Sequence, residues 1–144
     1  MRLLPLMLLV ICCSVRADWI PLASSEDGGT FWEYDPQRIT RTGAKLFFWV
    51  KVYGDGQKNH MAGVFREGGF GQLADKYENN YLLSLNKWEI NCQNLTMKLI
   101  TSADYEKNGK VLSGSENVHK EFSQIIPESL MDVAASKLCH TKKK

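Results

Sequence analysis

Residues 44–53 alternate strictly between two kinds of side chain, and no other segment constrains the fold as much. One set of positions is wholly apolar and consists of Leu46, Phe48, Val50 and Val52. The other set mixes lysines with aromatic residues and consists of Lys45, Phe47, Trp49, Lys51 and Tyr53. A period of two is typical of a β-strand with one buried face. The segment therefore predicts a strand whose apolar set faces the core.

Further strands are predicted on both sides of this one. Residues 30–34 are rich in aromatic side chains and end at Asp35-Pro36, which breaks the strand because proline lacks a backbone donor. Residues 81–92 and 95–102 are separated by a tight turn and predict a hairpin. A shorter strand is expected at residues 110–113.

The best helix signal lies near the carboxyl end, over Glu128 to His140. Pro127 suits a first helical position, and an apolar stripe follows it. The stripe consists of Leu130, Met131, Ala134, Ala135 and Leu138. The predicted fold is therefore α+β, with an antiparallel sheet of about five or six strands and one carboxy-terminal helix packed on it.

Residues 54–80 differ in kind, because glycines and scattered charges interrupt any regular apolar pattern. Loops longer than about 15 residues in a compact domain are usually functional or disordered. We interpret this glycine-rich segment as a long, partly mobile loop.

The amino end predicts export. A positive start, Met1-Arg2, precedes an apolar run from Leu3 to Cys13, which is too short for a membrane span of about 20 residues. Small residues at Val15 and Ala17 predict cleavage before Asp18. Residues 1–17 are thus a predicted signal peptide, and residues 18–144 a single domain without a transmembrane segment.

Lipid attachment at Cys12 or Cys13 is the alternative to cleavage before Asp18. A tiny residue normally precedes a lipidated cysteine, whereas Ile11 precedes Cys12 here. The sequence therefore favours a free exported protein over a lipoprotein.

The charge of the mature chain argues against nucleic acid as a partner. Removal of Arg2 and Arg16 with the signal leaves 16 basic residues against 16 acidic ones. Nucleic-acid binding depends on clustered Lys and Arg. The basic run at Lys142–Lys144 is expected to be a solvated tail.

Cys92 and Cys139 are the cysteines that remain after the signal is removed. Two cysteines in an exported chain most simply form one disulfide. No histidine stands at ligand spacing from them, so a zinc site is not expected.

The sequence contains no recognisable active site. His60, His119 and His140 share no motif, and the chain has no G-x-S-x-G nucleophile signature. Residues 68–71, Gly-Gly-Phe-Gly, lack the Gly-Lys-Ser/Thr ending of a phosphate-binding loop. We therefore expect a non-enzymatic protein without a cofactor or bound metal.

Phe47, Trp49 and Tyr53 are expected to lie on the sheet face opposite the helix. There they would form a contact surface for a protein partner or the seam of a homodimer. In the alternative interpretation, residues 54–80 fold over these aromatic side chains and bury them.

Short motifs spread through the mature chain, taken in order, resemble the surface-adhesin protein E family of exported Gram-negative bacterial proteins. They are Trp19, Tyr34-Asp35-Pro36, Ile39, Gly43, Trp49, Glu89-Ile90-x-Cys92, Tyr105, Gly109-Lys110-Val111-Leu112-Ser113, Ile126-Pro127-x-Ser129 and Leu138-Cys139. The resemblance implies a curved antiparallel sheet whose carboxy-terminal helix is held by a Cys92–Cys139 bond.

The resemblance also implies a cell-envelope location, in the periplasm or at the outer-membrane surface, and adhesion to host extracellular-matrix proteins. The resulting hypothesis is an exported binding protein that presents a sheet face or the glycine-rich segment to a protein partner. The alternative hypothesis is a periplasmic structural or accessory protein without a host ligand.

Overall fold

The protein combines an antiparallel sheet with α-helices. The computed structural model describes residues 18–140, and within this range it contains eight strands and three α-helices. The predicted signal peptide, residues 1–17, and the basic end, Lys142–Lys144, lie outside the described residues. The α+β class and the antiparallel sheet predicted from the sequence are confirmed.

The strands are β1 (Ile20–Ser24), β2 (Phe31–Tyr34), β3 (Thr40–Thr42), β4 (Lys45–Tyr53), β5 (Tyr81–Asn91), β6 (Thr96–Glu106), β7 (Val111–Glu116) and β8 (Ser123–Gln124). The helices are α1 (Asp55–Glu67), α2 (Gly71–Asn80) and α3 (Leu130–Cys139), and a short 3-10 turn covers Pro36–Arg38. Six strands form the main path of the sheet in the order β1-β2-β4-β5-β6-β7. Strand β3 pairs with β4, and β8 pairs with β6.

Strand β4 defines two faces of the sheet. Leu46, Phe48, Val50 and Val52 are buried on one of them, which we call the inner face. Phe47, Trp49 and Tyr53 point to the opposite, outer face and are partly exposed. The buried and the exposed positions of β4 are therefore those that the alternation of residues 44–53 predicts.

Helix α3 covers one end of the inner face. Met131, Ala134, Ala135 and Leu138 of this helix are buried in one apolar cluster with Leu46, Phe48, Ile90 and other residues of the sheet. The helix begins two residues later than predicted, because Ser129 is its N-cap and accepts a hydrogen bond from the Asp132 N–H at 3.2 Å. Glu128 has a φ of 64°, which places it outside the helix.

A disulfide between Cys92 and Cys139 joins the end of β5 to the last turn of α3, with the two Cα atoms 5.6 Å apart. The side chain of Arg41 donates a hydrogen bond to the Leu138 carbonyl, and that of Lys137 donates one to the Leu22 carbonyl. The carboxy-terminal helix is thus fixed to β5, β3 and β1. This confirms the tethered helix predicted from the sequence.

The prediction of a long loop over residues 54–80 is wrong. The segment forms a helical hairpin, α1 followed by α2, in which Ala62, Ala74 and Tyr77 are buried. The sequence obscured these helices because glycines lie both at their ends and inside α1. Gly54, with a φ of 112°, is needed where α1 begins, since a Cβ there would lie 2.3 Å from the Gly29 carbonyl oxygen.

The helical hairpin packs on the inner face, at the end that α3 leaves open. Tyr77 of α2 stacks on Tyr81 with ring centroids 5.8 Å apart, and its hydroxyl donates a hydrogen bond to Asp104 of β6. Ala62, Met61, Phe65, Leu73 and Leu112 complete this second apolar cluster. On the outer face, Tyr53 instead stacks on Phe31 of β2, with ring centroids 5.4 Å apart.

Among the helices of the described range, none is both long and apolar enough to cross a membrane. The longest of them, α1, has 13 residues.

The disulfide should provide a large part of the stability of the domain. It closes a sequence separation of 47 residues. Replacing both cysteines by alanine, Cys92→Ala with Cys139→Ala, should lower the free energy of unfolding by about 4 kcal/mol, because the unfolded chain regains the entropy of the open loop. Urea denaturation followed by circular dichroism measures this change.

Reduction provides the control for this prediction. Dithiothreitol should destabilise the wild-type protein and leave the double variant unchanged. Equal stability of the wild-type protein with and without reductant would contradict a structural disulfide.

Candidate functional site

The outer face carries an aromatic and basic surface. We define the outer surface by Phe47, Trp49 and Tyr53 together with the lysines on the same face, Lys45, Lys51, Lys87 and Lys98. The strand register produces this mixture: Trp49 of β4 lies opposite Lys87 of β5, and Lys98 of β6 lies opposite Glu89. The predicted contact residues Phe47, Trp49 and Tyr53 follow one another along this face of β4, with Lys51 between Trp49 and Tyr53.

Tyr53 and Lys51 belong to one network with Glu33 of β2. The Tyr53 hydroxyl donates a hydrogen bond to Glu33 Oε1 at 2.9 Å, and the Lys51 ammonium pairs with the same carboxylate. This ammonium also lies 5.2 Å from the centre of the Trp19 ring. The hydrogen bond to Glu33, followed by burial, raises the pKa of Tyr53, so the phenol remains a neutral donor.

A second network surrounds Glu89, which is buried although it lies on the outer face. The Lys45 ammonium is 3.1 Å from Glu89 Oε1, although the angle does not meet hydrogen-bond geometry, and the Lys98 ammonium is 3.9 Å from Oε2. Both ammonium groups also lie over the ring of Phe122, at 5.9 Å and 5.1 Å from its centre. Buried carboxylates are retained where such pairing offsets desolvation.

A cleft of about 390 Å³ opens on the inner face between α1 and the sheet, which is a volume typical of small-molecule sites. We call it the inner cleft. Its floor is formed by side chains of β5, β6 and β7, and its wall by Gln57, His60 and Met61 of α1. The floor includes Ser84, Asn86, Ser102, Asp104, Ser113 and Ser115.

Two tryptophans line the cleft at the end nearer α3. Trp32 and Trp88 stack with ring centroids 6.4 Å apart and an angle of 24° between their planes. The Trp88 indole Nε1–H is buried and makes no hydrogen bond within residues 18–140. A buried donor without an acceptor costs about 1–3 kcal/mol.

Buried tyrosines hold the far end of the floor. The Tyr81 hydroxyl donates to the Val52 carbonyl at 3.0 Å and shares a 2.9 Å hydrogen bond with Ser84. Burial raises the pKa of both Tyr77 and Tyr81, and in Tyr77 the hydrogen bond to Asp104 raises it further. Both phenols therefore stay neutral at physiological pH and act as fixed hydrogen-bonding groups.

The histidines do not form a catalytic arrangement in the described part of the chain. His119 Nδ1 accepts a hydrogen bond from the Leu99 N–H, His140 Nδ1 lies 3.0 Å from the Ser136 carbonyl, and His60 lies on the exposed wall of the inner cleft. Between residues 18 and 140, no group of three or more His, Cys, Asp or Glu side chains is placed to hold a metal ion.

The family model for surface-adhesin protein E matches residues 19–140 of the chain. The chain belongs to the surface-adhesin protein E family. The match covers the sheet, the helical hairpin and α3, so it includes both the outer surface and the inner cleft. No curated protein and no solved structure gives a significant match to the chain.

Membership of the surface-adhesin protein E family indicates an exported, adhesin-like protein and favours binding over catalysis.

Sequence reasoning missed the inner cleft of this family member. The available signal was the pair Ser84 and Asn86, which stand at positions of β5 that the alternation assigns to the buried face. Polar residues at predicted core positions require partners or a solvated cavity. The contribution of α1 to the wall cannot be predicted from the sequence, because the glycines of residues 54–80 obscure the helix.

Loss of the Tyr77 hydroxyl should destabilise the floor. In Tyr77→Phe the buried Asp104 carboxylate loses its donor, and the free energy of unfolding should fall by about 1–3 kcal/mol. Urea denaturation measures the change. Tyr105→Phe is the matched control, because Tyr105 is partly exposed on the outer face. An unchanged stability in Tyr77→Phe would contradict the hydrogen bond.

The difference in the free energy of unfolding between the wild type and Tyr77→Phe should depend on pH. The pKa of Tyr77 is raised in the folded state, so the stability that this residue contributes is fully present below about pH 10, where the tyrosine of the unfolded chain is also neutral. That contribution is lost as the pH rises further. The wild-type advantage should therefore narrow by about 1.4 kcal/mol per pH unit above about pH 10. Urea denaturation of both proteins from neutral to alkaline pH tests this, and a constant difference would contradict it.

Proposed function

We propose that the protein is an exported, non-enzymatic binding protein of the bacterial cell envelope, and that it contacts a protein partner through the outer surface. The match of residues 19–140 to surface-adhesin protein E is the observation that carries the proposal. Adhesion requires a stable contact surface and no reaction chemistry, so an exposed and ordered patch of side chains is sufficient for it.

The composition of the outer surface supports a protein partner. Tyrosine and tryptophan are enriched among the residues that dominate binding energy at protein interfaces. On this face the register brings four lysines together with three glutamates, Glu33, Glu89 and Glu116. The surface therefore has a positive excess and suits a partner that presents acidic side chains beside apolar ones.

Preorganisation of these side chains supports the same proposal. Lys51 is held by Glu33 and by aromatic rings, and Lys45 and Lys98 are held by Glu89. Ordered side chains lose less conformational entropy when a partner binds. Lys87 makes no ion pair within residues 18–140, and its ammonium is therefore available for a carboxylate of the partner.

Host extracellular-matrix proteins are the partner class that family membership suggests. The second candidate is a periplasmic structural or accessory protein without a host ligand. The amino end favours this candidate in one respect, because Ile11 in front of Cys12 does not suit lipid anchoring at the cell surface. Fractionation of cells with intact and permeabilised outer membranes separates the two, since a protein confined to the periplasm cannot contact a host.

Trp49 is the expected centre of the contact. Trp49→Ala should weaken binding of the purified exported protein to its matrix ligand by at least about tenfold, because truncation of a central aromatic residue commonly costs about 2 kcal/mol or more. Surface plasmon resonance against immobilised laminin, vitronectin, fibronectin and collagen measures this. Lys87→Glu should weaken binding as well, and more strongly at low salt.

Phe70 provides the matched control. It is a 62% exposed aromatic residue in the turn between α1 and α2, away from the outer surface. Phe70→Ala should leave binding unchanged. A loss of binding in Phe70→Ala but not in Trp49→Ala would assign the contact to the helical hairpin, and no saturable binding of the wild type to any ligand would contradict adhesion. If Trp49→Ala converted a dimer to a monomer in sedimentation, the outer surface would be a homodimer seam.

A further inference from the structure

The floor of the inner cleft is a grid of polar side chains on a face that is otherwise apolar. Asn86, Ser102 and Ser115 are register partners across β5, β6 and β7, and they form one row. Ser84, Asp104 and Ser113 form the next row in the same way. Neighbouring strands lie about 4.8 Å apart, so the grid spans a patch the size of a small molecule.

Several side chains of this polar grid can form further hydrogen bonds. The Asn86 Oδ1 accepts from the Ser102 hydroxyl at 2.8 Å, which leaves the Asn86 amide N–H₂ without an acceptor inside the described range. The Ser115 hydroxyl is exposed and makes no side-chain hydrogen bond within residues 18–140. The Asn86 amide and the Ser115 hydroxyl therefore offer hydrogen-bonding groups to a ligand from the floor of the cleft.

The charge of the lining excludes most other ligand classes. No lysine or arginine of the described range lines the cleft, and the basic side chain of the lining is His60 on the exposed wall, away from the polar floor. A phosphate or carboxylate on the floor would therefore lack the lysine or arginine that usually binds it. Asp104 is the carboxylate of the lining, and Tyr77 already bonds to it. A purely apolar ligand would strip water from the polar grid without replacing its hydrogen bonds.

The indole rings of Trp32 and Trp88 provide the apolar part of the site. Trp32 and Trp88 present nearly parallel aromatic surfaces, 6.4 Å between centroids, at the end of the polar grid. Aromatic rings of this kind pack against flat faces of C–H groups while a neighbouring polar edge makes hydrogen bonds. A sugar ring has both features, since its C–H groups and its hydroxyls point in different directions.

We propose that the inner cleft is a binding site for a neutral saccharide of one or two rings, packed on Trp32 and Trp88 and hydrogen-bonded by Asn86, Ser102 and Ser115. This site is separate from the outer surface, because it lies on the opposite face of the sheet. The inference therefore does not depend on protein binding by the outer surface.

Nuclear magnetic resonance of the purified exported protein tests the proposal. The indole N–H signals of Trp19, Trp32, Trp49 and Trp88 are assigned by replacing each tryptophan with phenylalanine. The protein is then titrated with glucose, galactose, mannose, N-acetylglucosamine, N-acetylgalactosamine and their common neutral disaccharides. At least one sugar should shift the signals of Trp32 and Trp88 saturably at millimolar concentration and leave those of Trp19 and Trp49 in place.

Two variants of the cleft make the test specific. Ser115→Trp fills the cleft from an exposed position of β7 and should abolish the shifts, whereas Asn86→Ala should weaken binding about tenfold by removing the amide donor. Thr101→Ala is the matched control, because Thr101 precedes Ser102 on β6 and points to the outer face. It should leave the affinity unchanged. Circular dichroism checks that each variant is folded.

Several outcomes would overturn the proposal. They are the absence of Trp32 and Trp88 shifts with every sugar, shifts that persist in Ser115→Trp, and an equal loss of affinity in Thr101→Ala. Inorganic phosphate and a medium-chain fatty acid serve as comparison ligands. Saturable binding of either one at the cleft without sugar binding would assign the site to another ligand class and contradict the proposal.

Discussion

Burial of the inner face of the sheet is the constraint on which the rest of the structure depends. Two separate helical units bury it, α3 at one end and the α1–α2 hairpin at the other, and each forms its own apolar cluster. Apolar burial stabilises by about 25 cal/mol per Å², so each end of the sheet requires a cover. Because the covers are two units and not one continuous layer, the middle of the face stays accessible as the inner cleft. The location of the cleft is a consequence of this division.

The disulfide determines how firmly α3 is held on the sheet. Helix α3 has ten residues, and an isolated helix of that length is marginal in water. Its last turn is joined covalently to β5 through Cys139 and by hydrogen bonds to Arg41 of β3 and to the Leu22 carbonyl of β1. Strands from distant parts of the chain thus converge on one helical end. An oxidising compartment is required for this arrangement to keep its full stability.

The parts of the fold that the sequence predicted are those in which local pattern and tertiary burial agree. The alternation of residues 44–53 and the stripe of α3 each match the side that is buried. The hairpin of α1 and α2 was missed because six glycines between residues 54 and 71 weaken the local helix signal, and contacts such as Tyr77 to Asp104 supply the missing stability. Only part of the polar grid could be predicted from the sequence. Ser84 and Asn86 stand out in the sequence, whereas Ser102 and Ser115 join them through a strand register that includes irregularities.

The outer surface and the inner cleft depend on the same strand register. Consecutive residues of a strand point to opposite faces, so Asn86 belongs to the cleft and Lys87 to the outer surface. The same holds on β6 for Ser102 and Thr101. The register shift between Lys87 and Trp88 places Leu99 opposite Trp88 and keeps Thr101 opposite Lys87. A slip of one residue would exchange the two sets of side chains, moving lysine into the neutral cleft and serine onto the basic surface. The bulge lies in β6, where Ile100 is the extra residue between Leu99 and Thr101. It allows Leu99 to share the inner face with Trp88 and Thr101 to share the outer face with Lys87, so the side chains of β6 match those of β5 on both sides of the bulge.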